Sequence, residues 1–191
     1  MRIPNLPSVT SSTQAFSGCK SIERIIIGDM PVNKNILQIA YDCGNLRYVE
    51  IGAIPAVEDV SNALASCPLL ERAVFTGGVA PSRSATNLFQ SDGSLRSVEG
   101  VVDLSAVGNY QNIVYGCAKL ESIKIKGLGD SINLSLCIAL NAESLRYLID
   151  NAKEVTGKTI YLPRKFFAER KEEMEAIGRD ATAKGFTINY Q

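Results

Sequence analysis

Five cysteines offer the most obvious chemistry in this sequence, and four of them recur in step. Cys19, Cys43 and Cys67 are separated by one constant interval, and Cys117 follows about two such intervals after Cys67. Thiolates can bind zinc. A constant interval, however, predicts that these thiols share one column and point the same way, so they could not surround a tetrahedral ion. We therefore expect no metal site but small thiols packed in the core, and we expect the same of Cys137, which falls outside the column.

The remaining composition argues against an enzyme. The chain contains no histidine, the commonest general base near neutral pH and the commonest imidazole ligand of metals. The glycine pair in Thr76–Ser84 lacks the lysine of a phosphate-binding loop and is interpreted as a turn. We expect no catalytic residues and no cofactor.

The net charge and the distribution of apolar residues limit the classes of partner that this chain is expected to bind. Lysine plus arginine total 20 and aspartate plus glutamate total 20, so a polyanion such as nucleic acid is not an expected partner. Uninterrupted apolar runs long enough for a membrane span are absent from the sequence, and Met1–Asn5 does not resemble a signal peptide. We expect no membrane insertion.

The cysteine spacing belongs to a longer repeat. Six copies begin at the leading residues Ile22, Leu46, Leu70, Leu95, Leu120 and Leu145, and the last three intervals are each one residue longer than the first two. Each leading residue opens the pattern L-x-x-hydrophobic-x-hydrophobic, whose alternation is typical of a short strand with one buried face. A second apolar cluster precedes each strand, at Phe16, Ile39-Ala40, Ala63-Leu64, Leu88-Phe89, Ile113-Val114 and Ile138-Ala139. Regular repeats of this length predict an α/β solenoid whose stacked turns form one parallel sheet of about six short strands.

The repeat predicts two regions. Residues 1–163 form the solenoid, with a loose polar tail before Ala15, and residues 164–191 form a C-terminal cap. In the cap, a helix is predicted over 164–184 because Phe167, Met174, Ile177 and Ala181 follow helical spacing. Gly178 could split this helix, and 186–190 is predicted to be a final strand.

Two copies depart from the strand pattern. The fourth copy has Gly100, and the sixth has Asp150, at the second buried strand position. Glycine or a charged residue at that position predicts a strand that is bulged or incompletely paired with its neighbours.

The pattern F/A-x-x-C-x-x-L-x-x-I-x-I resembles the BspA-like leucine-rich-repeat family of bacterial surface proteins, over roughly residues 14–162. The resemblance implies a right-handed coil in a secreted or surface-attached protein that adheres to host proteins or other cells. The commoner leucine-rich pattern carries asparagine eight positions after the leading residue. Here those positions are Met30, Ile54, Gly78, Asp103, Leu128 and Lys153.

The residue after each leading position alternates in charge: Glu23, Arg47, Glu71, Arg96, Glu121 and Arg146. On stacked strands each acid would lie beside arginines, which favours the correct register. An exposed pair contributes only about 0 to 1 kcal/mol, so the value would lie in discouraging slips by one turn. Chance alternation on a solvated face explains the pattern equally well.

The outward strand positions are the candidate binding residues. They are Arg24, Tyr48, Arg72 and Tyr147 in one column and Glu50, Val74 and Lys124 in the next. Tyrosine and arginine are favoured at interfaces, although scattered apolar residues such as Val74 also occur on surfaces without function. We expect a non-catalytic module that binds a protein or glycan on a host or neighbouring cell. The alternative is a structural spacer or oligomerisation segment of a larger surface or virion protein.

Overall fold

The computed structural model describes residues 1–191 except the side chain of Phe167. Its main feature is a parallel sheet of six strands in the order β1-β2-β3-β4-β5-β6. We call it the long sheet. Its strands are β1 (Arg2–Ile3), β2 (Arg24–Ile27), β3 (Tyr48–Ile51), β4 (Arg72–Phe75), β5 (Ser97–Asp103) and β6 (Ser122–Lys126).

The strand register follows the sequence repeat. Arg24 is paired with Tyr48, and Tyr48 with Arg72, so residues one repeat apart lie side by side. Within β2 and β4 the first residue is exposed, the second and fourth are buried, and the third is half-buried. The predicted strand alternation is therefore confirmed for these copies. The leading residues from Leu46 to Leu145 are at most 1% exposed, and Ile22 is half-buried against the same core.

The prediction of a loose N-terminal tail is wrong. Arg2 and Ile3 pair with Ile26 and Ile27, and the Met1 ammonium donates to the carbonyl of Arg24 at 2.6 Å. The edge of β2 would otherwise leave its backbone polar groups unpaired. The tail satisfies them, at the same offset of one repeat that relates β2 to β3, although it lacks the apolar pattern by which the copies were recognised.

The sixth copy is helix α1 (Ala142–Asp150), and the strand predicted at Tyr147 is wrong. Leu145, Leu148 and Ile149 are buried at helical spacing, whereas a strand would place Ile149 outward and Asp150 in the core. The helix is favoured because Asn141 caps it: its side-chain oxygen accepts from the backbone N–H of Ser144 at 2.8 Å. The six strands of the long sheet are thus completed by β1 and not by the sixth copy.

One apolar pair before α1 also departs from expectation. Ile138 is 45% exposed and Ala139 is half-buried, whereas Ile39, Leu88 and Ile113 at the equivalent position are at most 1% exposed. Cys137 is fully buried in this copy instead. The change to a helix therefore alters which side chain enters the core.

The bulge predicted at Gly100 is confirmed. The register of β5 against β6 shifts between Ser97 and Val101, and Gly100 has φ +89°. A Cβ atom at Gly100 would collide with the carbonyl oxygen of Phe75 on β4. Glycine is required here both by the backbone conformation and by the close approach of β4.

The C-terminal region forms a second parallel sheet, with strand order β7-β8-β9, and two helices. Its elements are β7 (Ile132–Asn133), β8 (Lys158–Leu162), α2 (Arg164–Glu169), α3 (Lys171–Ala183) and β9 (Phe186–Tyr190). We call this sheet the short sheet. The predicted final strand and its preceding helical segment are present.

The helix break and the buried face differ from the prediction in detail. The break falls at Arg170, whose φ of −139° is not helical, and not at Gly178. Met174, Ile177 and Ala181 are buried as predicted, and so is Phe166. The prediction for Phe167 lies outside the described residues.

The turns that precede the strands of the long sheet contain an amide column that the sequence did not predict. Its members stand eight positions before the leading residues and all have positive φ: Gln14, Gln38, Asn62, Asn87 and Asn112. The Gln14 amide donates to Gln38 at 2.7 Å, and the Asn87 amide donates to Asn62 at 3.2 Å. Asparagine tolerates this backbone conformation better than most residues. Two hydrogen bonds thus link neighbouring amides of this column, which precedes the strands and does not follow them.

Candidate functional site

The candidate site is the sheet face, which we define as the outward side chains of β2 to β6. Strand alternation places residues such as Ile25 and Ile27 in the core, and it leaves Arg24 and Ile26 on the outside. Because the strands are parallel and in register, equivalent positions form columns whose successive members are about 4.8 Å apart. The core thereby fixes the spacing of the outward side chains.

Three predicted residues meet in the first column. Tyr48 lies between Arg24 and Arg72 in the pairing of β2, β3 and β4. The Cζ atom of Arg24 is 4.2 Å from the centre of the Tyr48 ring, and that of Arg72 is 5.8 Å from it. Both distances are within the range of cation–π attraction. The aromatic ring and the two guanidinium groups therefore form one contiguous cluster.

Two carboxylates hold this cluster in place. The Tyr48 hydroxyl donates to Glu50 at 2.6 Å, and the pKa of Tyr48 is raised by that hydrogen bond and by burial. Arg72 donates from both Nε and Nη2 to Glu99, the latter at 2.8 Å, and this pairing lowers the pKa of Glu99. A bidentate arginine–carboxylate pair fixes the plane of the guanidinium group. We call Arg24, Tyr48, Glu50, Arg72 and Glu99 the arginine–tyrosine cluster.

Val74 separates the two carboxylates of the cluster. It is paired with Glu50 on one side and with Glu99 on the other, and it is half-buried. The second column therefore runs acid, apolar, acid across three strands. Such a surface offers hydrogen-bond acceptors around a small apolar patch.

The other two predicted residues form a second contact near the C-terminal edge of the long sheet. Lys124 projects from β6, and its Nζ atom is 5.7 Å from the centre of the Tyr147 ring. Tyr147 belongs to α1 and not to a strand, so its predicted place in the sheet is corrected. Its ring is nevertheless adjacent to the sheet face, because α1 packs beside β6.

Two shallow cavities lie where the bulged β5 faces β6 and α1. The first, of about 300 Å³, is lined by Glu99, Gly100, Lys124 and Glu143 among others. The second, of about 310 Å³, is lined by residues that include Gly78, Val101, Asp103, Lys126 and Tyr147. Asp103 and Lys126 are paired there at 3.1 Å. A smaller cavity, of about 170 Å³, lies over the regular strands, where Ile26 and Glu50 help to line it.

The structure brings five of the seven predicted residues together around Tyr48 and places Lys124 with Tyr147 elsewhere on the same side. Sequence reasoning missed the role of Glu99 as the partner of Arg72. Its position in the second column was visible, but the bidentate pairing was not. It also missed Asn141 and Glu143, which follow from the change of the sixth copy to a helix.

The alternating charges form ion pairs in part. Arg47 contacts Glu71 and Arg96 contacts Glu121, each at 2.7 Å, whereas Arg146 on α1 contacts Asp180 at 3.6 Å. The side chains of the two closer pairs are about half exposed. Exposed pairs stabilise a fold weakly. The column thus links neighbouring strands beside the sheet face.

The described residues show neither a metal centre nor a membrane segment. Among them, cysteine, aspartate and glutamate side chains do not gather in groups of three that could hold a metal ion. No helix in this part of the chain has the length and apolar character needed to cross a bilayer.

Comparison of the chain with protein families, with curated proteins and with solved structures found no match.

Proposed function

We propose that this chain is a right-handed leucine-rich-repeat solenoid of the BspA-like type and that it acts as a non-catalytic recognition module. The partner is a protein or a glycan on a host or neighbouring cell. The solenoid is supported by in-register pairing of residues one repeat apart in the strands and by parallel bridges between residues one repeat apart in the turns. The bacterial surface or secreted location depends on the sequence resemblance.

The observation that carries the recognition role is the arginine–tyrosine cluster. Tyrosine and arginine dominate the energetics of many protein interfaces because each combines a large flat surface with hydrogen-bonding groups. Here the hydroxyl of Tyr48 and the guanidinium of Arg72 are already fixed by Glu50 and Glu99. Groups that are ordered before binding lose less conformational entropy in the complex.

The chemistry of the cluster fits both partner classes. The guanidinium groups of Arg24 and Arg72, which lie over the Tyr48 ring, donate hydrogen bonds to carboxylate, carbonyl or hydroxyl oxygens. Glu50 and Glu99 accept hydrogen bonds from hydroxyl or amide groups. The near balance of charge in the cluster disfavours a polyanion.

The test is binding of the purified chain to arrays of glycans and host extracellular proteins, followed by affinity measurements on any captured partner. Tyr48→Ala combined with Arg72→Ala should weaken binding by at least about tenfold, as expected for truncated hot-spot residues. Arg96→Ala combined with Glu121→Ala is the matched control, because it also removes one exposed contact between neighbouring strands. Equal affinities for the cluster variant and the wild type would exclude this surface.

A second candidate function is assembly. β9 is an edge strand of the short sheet, and its sequence Phe-Thr-Ile-Asn-Tyr contains neither charge nor proline. Edge strands of this kind can pair with another chain. Light scattering over a range of concentrations separates the two functions: a stable oligomer would favour assembly through β9, and a monomer would favour recognition.

A further inference from the structure

The fourth copy of the repeat has an acid where its neighbours have a thiol. Asp92 stands in the cysteine column, midway along the sequence between Cys67 and Cys117. Its side chain is completely buried. An ionised carboxylate is costly in such a place unless it is paired with positive charge. The surroundings of Asp92 therefore decide whether its carboxyl group is ionised in the folded protein.

The titratable groups that face Asp92 are the thiols above and below it. Burial raises the pKa of Cys117, and the contact with Cys43 together with burial raises that of Cys67. Both thiols are consequently uncharged at neutral pH. A thiol carries no positive charge, so neither cysteine can compensate the negative charge of an ionised Asp92.

The thiols of the column follow one hydrogen-bonding rule, which Cys137 also obeys. The series is Cys19, Cys43, Cys67, Asp92, Cys117 and Cys137. Each thiol after Cys19 donates to the backbone carbonyl of the residue that stands three positions before the preceding member of this series. The pairs are Cys43 with Phe16 at 3.0 Å, Cys67 with Ala40 at 3.1 Å, Cys117 with Phe89 at 3.0 Å and Cys137 with Val114 at 3.4 Å. For Asp92 the preceding member is Cys67, so the equivalent acceptor is the backbone carbonyl of Leu64. A carboxylic acid has a proton to donate to that carbonyl, whereas a carboxylate has none.

The two oxygens of Asp92 differ in their surroundings. Oδ1 accepts a hydrogen bond from the backbone N–H of Cys67 at 2.7 Å. Oδ2 is buried, and among the described residues it receives no hydrogen bond. A carboxylate would leave Oδ2 charged and unsatisfied, at a large cost in free energy. A protonated Oδ2 instead becomes a donor, like the thiols of the same column.

We propose that Asp92 is a neutral carboxylic acid in the folded protein, that its Oδ2 proton is donated to the carbonyl oxygen of Leu64, and that its ionisation weakens the contact between the third and fourth copies. This makes the junction between β4 and β5 sensitive to pH. Arg72 and Glu99 bridge the same two copies on the sheet face. Loss of order at this junction would disturb the arginine–tyrosine cluster.

The direction of the pH effect follows from proton binding. In the unfolded chain an aspartate ionises near about pH 3.9, whereas burial raises the pKa of Asp92 well above this value in the folded protein. Between the two pKa values the folded state therefore holds one more proton. Stability is lost as pH rises through this window, by about tenfold in the unfolding equilibrium constant for each pH unit.

Asp92→Asn tests the proposal because asparagine keeps both hydrogen bonds: its oxygen can accept from Cys67 and its amide can donate to Leu64. Urea unfolding should be followed between about pH 5 and about pH 8. Relative to the variant, the wild type should lose stability with rising pH, by up to about tenfold in the equilibrium constant per pH unit. Parallel pH profiles for the two proteins would overturn the proposal.

Asp103→Asn is the matched control. Burial raises the pKa of Asp103, but hydrogen bonds from Ser105 and Lys126 outweigh it, so its pKa is lowered overall. This aspartate is ionised in both states throughout the same pH window, and its replacement should leave the slope unchanged.

A second measurement does not depend on the stability of a variant. Carbon-13 NMR of the wild type with labelled aspartate carboxyls should show one carboxyl that remains protonated at neutral pH. Its assignment to Asp92 follows from its disappearance in Asp92→Asn or in Asp92→Cys. A wild-type spectrum in which every aspartate titrates at acidic pH would contradict the proposal.

Discussion

The regular strands β2 to β4 and the irregular part from β5 to α1 are built from the same repeat. In the first part, residues one repeat apart are paired across three strands without interruption. In the second part, one strand is bulged at Gly100 and the sixth copy is a helix. The difference teaches that a repeat fixes which residues are near each other more firmly than it fixes their secondary structure.

The largest expected effect distinguishes equivalent isoleucines in the two parts. Ile39 is 1% exposed and Ile138 is 45% exposed, although both stand seven positions before a leading residue. Ile39→Ala should cost about 2–5 kcal/mol because it leaves a cavity, whereas Ile138→Ala should cost less than about 0.5 kcal/mol. Urea unfolding measures both, and similar costs would show that the sixth copy packs like the others.

Gly100 provides the next test. Gly100→Ala should destabilise the fold by about 1–3 kcal/mol, because the new Cβ would need an unfavourable φ and would meet the Phe75 carbonyl. Gly178→Ala is the control: a Cβ there meets no other atom within 4 Å, and alanine should stabilise α3 by about 0.5–1 kcal/mol. A neutral Gly100→Ala variant would mean that the bulge is not needed.

The helix in the sixth copy depends on its cap. Asn141→Ala removes the hydrogen bond to the Ser144 N–H and should cost about 1 kcal/mol. Asn141→Asp keeps an acceptor and should retain most of the stability. The free energy of unfolding and the helical circular dichroism signal report the effect, and an unchanged signal in the alanine variant would contradict the assigned role of the cap.

The smallest effect is expected for the charge column. A double-mutant cycle on Arg96 and Glu121 should give a coupling of about 0 to 1 kcal/mol that decreases with added salt. A coupling well above this range would favour a register role over chance alternation.

The sequence predicts the long sheet because alternation and a constant interval act together in the copies led by Ile22, Leu46 and Leu70. It does not predict α1, because Leu145 and Leu148 stand where the strand pattern needs apolar residues, whereas burial of Ile149 and the cap at Asn141 belong to a helix. The N-terminal strand also escapes prediction, since Arg2–Ile3 is held by backbone pairing that leaves no side-chain pattern.

The candidate site likewise has features that the sequence predicts and features that it does not. The columns containing Arg24, Tyr48 and Arg72 follow directly from the repeat. The pairing of Arg72 with Glu99 does not, because it depends on side-chain conformations beside a bulge. The neutral acid proposed at Asp92 is visible in the sequence only as a gap in the cysteine column.

The most direct test of the stacked repeat is a methyl NOE measurement on the protein labelled at isoleucine. Ile27 and Ile51 lie opposite each other on β2 and β3, one repeat apart in the sequence. The account predicts a strong cross-peak between their methyl groups. Absence of this cross-peak in a folded sample with assigned methyl resonances would contradict the register on which the sheet face depends.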